Sequence, residues 1–396
     1  MKYRRFGRAG LQLPVISCGG MRYQHSWKDA DEPDITVANQ KNLEACIHRS
    51  LELGIHHIET ARGYGTSEVQ LGKILPTLPR EKIIVQTKVP PTADPKEFLE
   101  TFNRSMANLD LDYVDLLGIH GINNDDLLAC AIRKNGCLAA ARQLQREGRC
   151  RFIGFSTHGT PRIISAAIRT GEFDYVNLHW YFVNPLTWPC IEDATKLDMG
   201  VFIISPNDKG GMLQNRPAKM ASLTAPLTPM QFNDLCCLAR PQVHTLSCGV
   251  AKPSDFDEHV AALEHYDRAA EITAPIAARL TAEMEKILGA DWCARWTENL
   301  PEHKDAPDQI NIVEILRLWT YAKSLDLVEW ARMRYNLLSG EGGHWFPGEK
   351  ADRITNERVL LAAVANNPFA ARIPGILREA HALMDAAPQK RLSQSD

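Results

Sequence analysis

The chain has 396 residues, a net charge of −3 and 44% hydrophobic residues. This length exceeds one average domain, and the apolar content is that of a protein that buries a real core. The near-neutral charge gives no global field to recruit nucleic acid or an anionic membrane, and no run of about 18 apolar residues offers a membrane span. The opening MKYRRFGRAGLQLP is basic but lacks a signal peptide's apolar core, and for the same reason Arg4-Arg5 is no twin-arginine leader. Ten cysteines lie between Cys18 and Cys293 with no C-x-x-C spacing, so we expect reduced, mostly buried thiols in a cytoplasmic protein.

Residues 2–13 predict a short hairpin turning at Gly10, followed by a buried strand, PVISCGG (14–20). Ala38–Gly54 carries apolar residues at helical spacing and stops at a glycine. The strand IHHIET follows, then a helix over Ser67–Leu75, the strand IIVQTKV, and a helix over Pro95–Asp110 with Asp94 as N-cap and proline at its first position. YVDLLGIH is the next strand, with a longer helical region to Gly148. RFIGFST precedes a helix over Pro161–Thr170, and YVNLHWYF precedes a short helix over Ile191–Leu197. GVFIISP leads into a long Gly/Pro-rich loop, Asp208–Pro229, and the helix Met230–Leu238. VHTLSCGV is the eighth strand, and Ser254 opens a helix to His265.

Eight strand–helix units within residues 1–265 predict a parallel (β/α)8 TIM barrel. The strands are apolar without alternation, as strands buried on both faces are. A doubly wound sheet is disfavoured because GGM at 19–21 is no dinucleotide fingerprint. After Tyr266 strand patterns stop. Helical periods over Ala270–Leu288, Asn311–Leu325, Leu327–Leu338, Glu357–Asn366 and Pro374–Met384 predict a second, all-helical domain over 266–396. Its Trp292, Trp296, Trp319, Trp330 and Trp345 are expected in its core, and PQKRLSQSD as a frayed tail.

Barrel active sites lie at the strands' C-terminal ends. Glu59, Lys88 and His120 close successive strands, and Tyr64 sits in a Gly-flanked turn five residues after Glu59. A phenol is a poor acid at its free pKa of about 10. A nearby ammonium favours the phenolate, a carboxylate fixes the lysine, and a neutral imidazole donates to a substrate oxygen. These four residues predict a proton donor and an oxyanion-type site. His56, His57, His158 and His179 lack metal-ligand spacing, so no metal is assigned. In the loop after the first strand, Arg22, Tyr23, His25 and Trp27 are candidate substrate contacts suited to a hydroxylated or sugar-like carbonyl, with His179 a further candidate.

At this point the sequence resembles the aldo-keto reductases, over residues 1–265. MKYRRFGRAGLQLPVISCGGM resembles the family's opening, ETARGYG-x2-E-x-x-L-G its D-T-A-x-x-Y-G segment, QTK and IHGIN its lysine and histidine segments. The resemblance implies NADPH- or NADH-dependent reduction of an aldehyde or ketone, or oxidation of the alcohol, with Tyr64 as general acid. It implies a nicotinamide site at Ser156 and Thr157 of GFSTH and at Asn177, and a phosphate loop with Ser205 and Gly210 in SPNDKGGML. Gly249, Lys252 and Glu258 of CGVAKPSDFDEH are implied at the adenosine end. Three positions depart from the pattern: Glu59 replaces aspartate, Ile204 replaces a stacking aromatic, and Asp255 lies where many members have arginine or glutamine.

The C-terminal part resembles a branch of the family with a ferredoxin-like tail, but the eight cluster-ligand positions hold Glu357, Leu360, Ala363, Asn367, Trp296, Asn299, Glu302 and Ala306. None is cysteine, so no iron–sulfur cluster is expected. Two other functions fit the same cofactor pocket: a non-catalytic regulatory barrel, and an epimerase or eliminase that retains its cofactor. The partner expected from sequence is a small carbonyl or alcohol, with no nucleic acid and no membrane; the sequence leaves the oligomeric state open.

Overall fold

A computed structural model describes residues 1–28, 34–338 and 347–387. A hairpin of β1 (Tyr3–Arg5) and β2 (Gln12–Pro14) opens the chain, with Gly10 at φ 68 in its turn. The eight strands that follow are β3 (Ile16–Gly19), β4 (His57–Glu59), β5 (Ile84–Val89), β6 (Val114–His120), β7 (Cys150–Ser156), β8 (Tyr175–Leu178), β9 (Gly200–Ile204) and β10 (Thr245–Gly249). They close in chain order into a parallel barrel, β10 pairing with both β3 and β9. The hairpin stoppers its bottom: Phe6 and Leu13 pack with Ile84, Leu116, Tyr175 and Phe202.

The helices between strands present amphipathic faces to the barrel. Pro95–Leu109 buries Phe98, Phe102, Met106 and Leu109, and the Asp94 carboxylate caps it by accepting from the Lys96 amide. Three segments differ from the sequence expectation. The helical region before Gly148 is two helices, Asp125–Ile132 and Cys137–Arg146, because Asn135 adopts φ 58 between them. The β8 strand ends at Leu178, after which Tyr181 and Asn184 form a tight bridge. The Gly/Pro-rich stretch after β9 contains short helices at Pro206–Lys209 and Ala218–Thr224.

The C-terminal helices, Ala269–Leu288, Ala290–Arg295, Ile312–Leu325, Val328–Tyr335, Glu357–Ala363 and Ile373–Met384, share one contiguous apolar core with the barrel. Trp292, Trp296, Trp319 and Trp330 are buried in it, whereas Trp345 and the tail 388–396 lie outside the described residues. Hydrogen bonds dock this region on the barrel, those of Glu302 with Thr160 (2.7 Å) and Arg162 (2.7 Å) among them. Arg317 donates to the Val183 carbonyl (2.6 Å), Tyr321 to Phe182 (3.1 Å) and the Trp330 indole to Lys209 (2.9 Å). None of the ten cysteines is in a disulfide, and no described helix is long and apolar enough to cross a membrane.

Candidate active site

The C-terminal ends of β4, β5 and β6 bring three side chains toward one point, and the turn after β4 brings the fourth. That turn is pinned to β5: the Arg62 amide donates to the Lys88 carbonyl (2.9 Å) and the Tyr64 amide to Ala61 (2.9 Å). Lys88 pairs in register with Gly118 on β6, and a Cβ at Gly118 would lie 3.1 Å from the Lys88 Cγ. The absent side chain there leaves room for the lysine stem.

Lys88 is 1% exposed, and its Nζ has three oxygen partners. It donates to the Glu59 carboxylate, to the Thr60 carbonyl (2.8 Å) and to the Tyr64 hydroxyl (3.4 Å). The other Glu59 oxygen accepts from Ser247 Oγ on β10 (2.8 Å), across the barrel mouth. Burial alone would push the Lys88 ammonium down, but the charges of Glu59 and Tyr64 and their hydrogen bonds hold it above the ordinary lysine range. It therefore stays charged beside the phenol. The His120 ring meets the Tyr64 ring edge-on, with centroids 5.7 Å apart. Glu68 supports β5 from behind, accepting from Thr87 Oγ1 (2.6 Å); burial raises its carboxyl above the usual range.

All four residues line one cavity at the barrel mouth. Of the residues expected to hold a cofactor, Ser156, Ser205 and Gly249 also line it. Thr157 borders a neighbouring cavity, its hydroxyl donating to the Ile122 carbonyl (2.6 Å). Asn177 is the register partner of Ser156 and fully buried, and neither its amide oxygen nor its amide nitrogen has a hydrogen-bond partner. Buried amides left so are rare, and Asn177 is not part of the lining of either cavity. Gly210 lies where a Cβ would come within 1.9 Å of the Pro206 carbonyl, so the loop can close only on glycine. Lys252 and Glu258 lie away from the cavity: Lys252 is exposed, and Glu258 accepts from Arg216 (3.1 Å). The Asp255 carboxylate turns into its own loop, accepting from the Ala251 amide (2.8 Å).

The candidate substrate contacts divide. Arg22 lines the cavity. Tyr23 does not: it is 1% exposed and packs in the apolar core, because the loop after β3 folds its ring inward. Trp27 is also away from the cavity, 38% exposed at the surface. His25 donates its amide to Gln70 and does not line the cavity. His179 borders the second cavity and bonds to His158, which lines both. Ser247, which fixes Glu59, and Asn207 and Lys209 of the cavity wall escaped the sequence expectation. Ser247 was detectable only as an inward position of the last strand.

One cluster runs against the absence of metal-ligand spacing. Asp234, Cys248 and His259, from three separate segments, place ligand atoms within 4.8 Å of one another. His259 Nδ1 lies 2.6 Å from Asp234 Oδ2 and 3.3 Å from Cys248 Sγ. Burial disfavours the charged ring, but Cys248 and Asp234 outweigh it and raise His259 well above its ordinary value. The three side chains bridge β10 and the helices Pro229–Leu238 and Asp255–Ala262.

Residues 15–273 match the model of the aldo/keto reductase family. Among curated proteins, the chain is 27% identical to L-galactose dehydrogenase of Arabidopsis thaliana, over 57% of this chain and 67% of that protein. It is 24% identical to L-glyceraldehyde 3-phosphate reductase of Escherichia coli K12, over 41% of this chain and 47% of that one. Among solved structures, the holo form of aldo-keto reductase AKR11C1 from Bacillus halodurans superposes with a TM-score of 0.59 at 22% identity, covering 70% of this chain and 96% of that one. That likeness is one of fold.

Proposed function

The chain belongs to the aldo/keto reductase family, and from that membership we propose that it reduces a small aldehyde or ketone with NADPH or NADH, Tyr64 acting as general acid. The observation that carries this is the buried Lys88 ammonium, hydrogen-bonded at once to Glu59 and to the Tyr64 hydroxyl on a cavity wall. A nicotinamide cofactor, when bound, supplies the hydride. Asn177, Ser156 and Thr157 would hold its carboxamide, and Ser205, Gly210 and Gly249 the segment beyond. Lys252 and Glu258 belong to the loop that would meet its far end, where the Asp255 carboxylate accepts from the Ala251 amide.

In this reaction the Tyr64 hydroxyl gives its proton to the carbonyl oxygen as negative charge develops there. The phenolate left behind faces the Lys88 ammonium, which stabilises it. Glu59, held by Ser247, keeps the ammonium in place. His120 donates a hydrogen bond to the same substrate oxygen. The polar cavity wall, including Arg22 and Lys209, suits a polar or sugar-like substrate.

We read residues 266–396 as a ferredoxin-like helical unit without clusters. Asn367, at one ligand position, instead bonds the carbonyls of Trp296 (3.0 Å) and Glu298 (2.7 Å), so an amide clamp ties the two ligand segments together. Two experiments test the proposal. Reduced nicotinamide should be oxidised over a panel of polar carbonyls, and no turnover despite cofactor binding would refute catalysis. Iron and sulfide should be absent from anaerobically purified protein, and stoichiometric iron would refute the cluster-free reading.

A further inference from the structure

β9 runs into a loop that forms one wall of the catalytic cavity, with Ser205, Asn207, Asp208 and Lys209 in its lining. The loop is strained: Ser205 (φ 46), Met212 (φ 50) and Arg216 (φ 47) are left-handed without being glycine. Such residues persist only where their surroundings hold them. On the barrel side, the Asn233 amide donates to the Pro206 carbonyl (3.0 Å). Within the loop, the Lys209 amide donates to Ser205 (3.1 Å) and the Met212 amide to Asp208 (2.9 Å).

Further support comes from the C-terminal helices. The Trp330 indole donates to the Lys209 carbonyl (2.9 Å). That carbonyl ends the short helix Pro206–Lys209, where carbonyls lack a partner within the helix itself. Trp330 is 1% exposed, and its ring meets Tyr321, whose hydroxyl is tied to the Phe182 carbonyl, at 6.3 Å between centroids. Arg334 lies one turn along the same face of the helix Val328–Tyr335. Burial pushes its guanidinium down to about 10, opposed by the carboxylates of Glu314 and Asp208. Leu327, just before this helix, lies against Gly211, its Cδ1 3.5 Å from where a Cβ would stand. One end of a C-terminal helix thus packs on the outside of a cavity wall.

We infer that the C-terminal helices complete the cofactor site, with Trp330 a positioning residue that holds the loop after β9 through the Lys209 carbonyl. That the ligand so served is a nicotinamide dinucleotide rests on the function proposed above; the hold on the loop does not. Linkage makes the effect mutual: a ligand that favours the held loop also favours the seated helix.

The test compares Trp330→Phe with Trp292→Phe in the full chain. Trp292 is also 1% exposed, and its indole donates to Thr320 Oγ1 (3.1 Å) inside the C-terminal region. Both variants therefore lose one buried indole bond, but only one of these bonds reaches the loop. Hydrogen exchange at the Lys209 and Met212 amides should quicken about fivefold in Trp330→Phe and stay unchanged in Trp292→Phe. The dissociation constant of NADPH or NADH, measured by calorimetry, should rise about fivefold in Trp330→Phe alone. In turnover assays the cofactor KM should rise with kcat within about twofold. A further arm needs no variant: in the parent chain, the dinucleotide that binds should slow exchange in Val328–Tyr335 and not in Glu357–Ala363. Unchanged loop exchange in Trp330→Phe, equal effects of the two variants, or no protection of Val328–Tyr335 by a bound dinucleotide would overturn the inference. Failure of the cofactor reading would show separately, as a parent chain that binds neither dinucleotide, while loop exchange still decides whether Trp330 holds the wall.

Discussion

Lys88–Glu59 at the barrel mouth and Arg317–Glu314 in the C-terminal helices are both buried ion pairs, with side-chain exposures of 1% and 3% against 2% and 10%. The difference lies in the third partner. Arg317 grips Glu314 through two bonds (2.6 and 2.9 Å) and donates its remaining nitrogen to the Val183 carbonyl (2.6 Å). Its charge ends on backbone and docks one helix on a barrel loop. Lys88 grips Glu59 and a carbonyl too, but its third partner is the Tyr64 hydroxyl, which faces a cavity. A buried ion pair alone is weak evidence of any role. A buried ion pair with a titratable hydroxyl at an open wall is what the proposed proton transfer requires.

Breaking each pair should separate the two roles. Lys88→Met should lower kcat/KM by about 10²–10⁴-fold, since the general acid loses the charge that tunes it. A loss below tenfold in steady-state assays would erase the distinction. Arg317→Met should leave kcat within about threefold but cost about 3–5 kcal/mol in a denaturant melt, because Glu314 is left buried and unpaired. Glu59→Asp sharpens the comparison further. The shorter carboxylate cannot hold both Lys88 and Ser247, so stability should fall by about 1 kcal/mol and kcat/KM by less than about tenfold.

A separate effect concerns pH. His57, inside the barrel, hydrogen-bonds Ser17 Oγ (2.7 Å), and burial pushes its imidazole down to about 3. Below its unfolded pKa of about 6.5 the unfolded chain takes up the proton first, so this group's contribution to stability is lost as pH falls from there toward the folded value. The Tm of the wild type should therefore drop more steeply across that window than the Tm of His57→Gln. Parallel slopes would remove His57 from the account.

The sequence carried the barrel because strands buried on both faces, such as IIVQTK and YVDLLGIH, leave runs that no surface element would tolerate. It also carried the meeting of Glu59, Tyr64, Lys88 and His120, because strand ends of a barrel converge wherever they fall in the chain. What it could not carry were contacts set by closure and by side-chain direction. Ser247 reaches Glu59 only because the last strand pairs with the first. Tyr23 sits in a loop by pattern, yet its ring turns into the core. His158 and His179 are 21 residues apart and meet only across neighbouring strand ends. Asp234, Cys248 and His259 have no motif spacing, since three separate segments supply them.

Tyr64 is the proposed general acid of the reductase site. It is tested most directly by Tyr64→Phe, with reduced-nicotinamide affinity from tryptophan fluorescence and turnover measured on the same preparation. Turnover should fall by about 10²–10⁴-fold with cofactor affinity unchanged. Full turnover in that variant would contradict it.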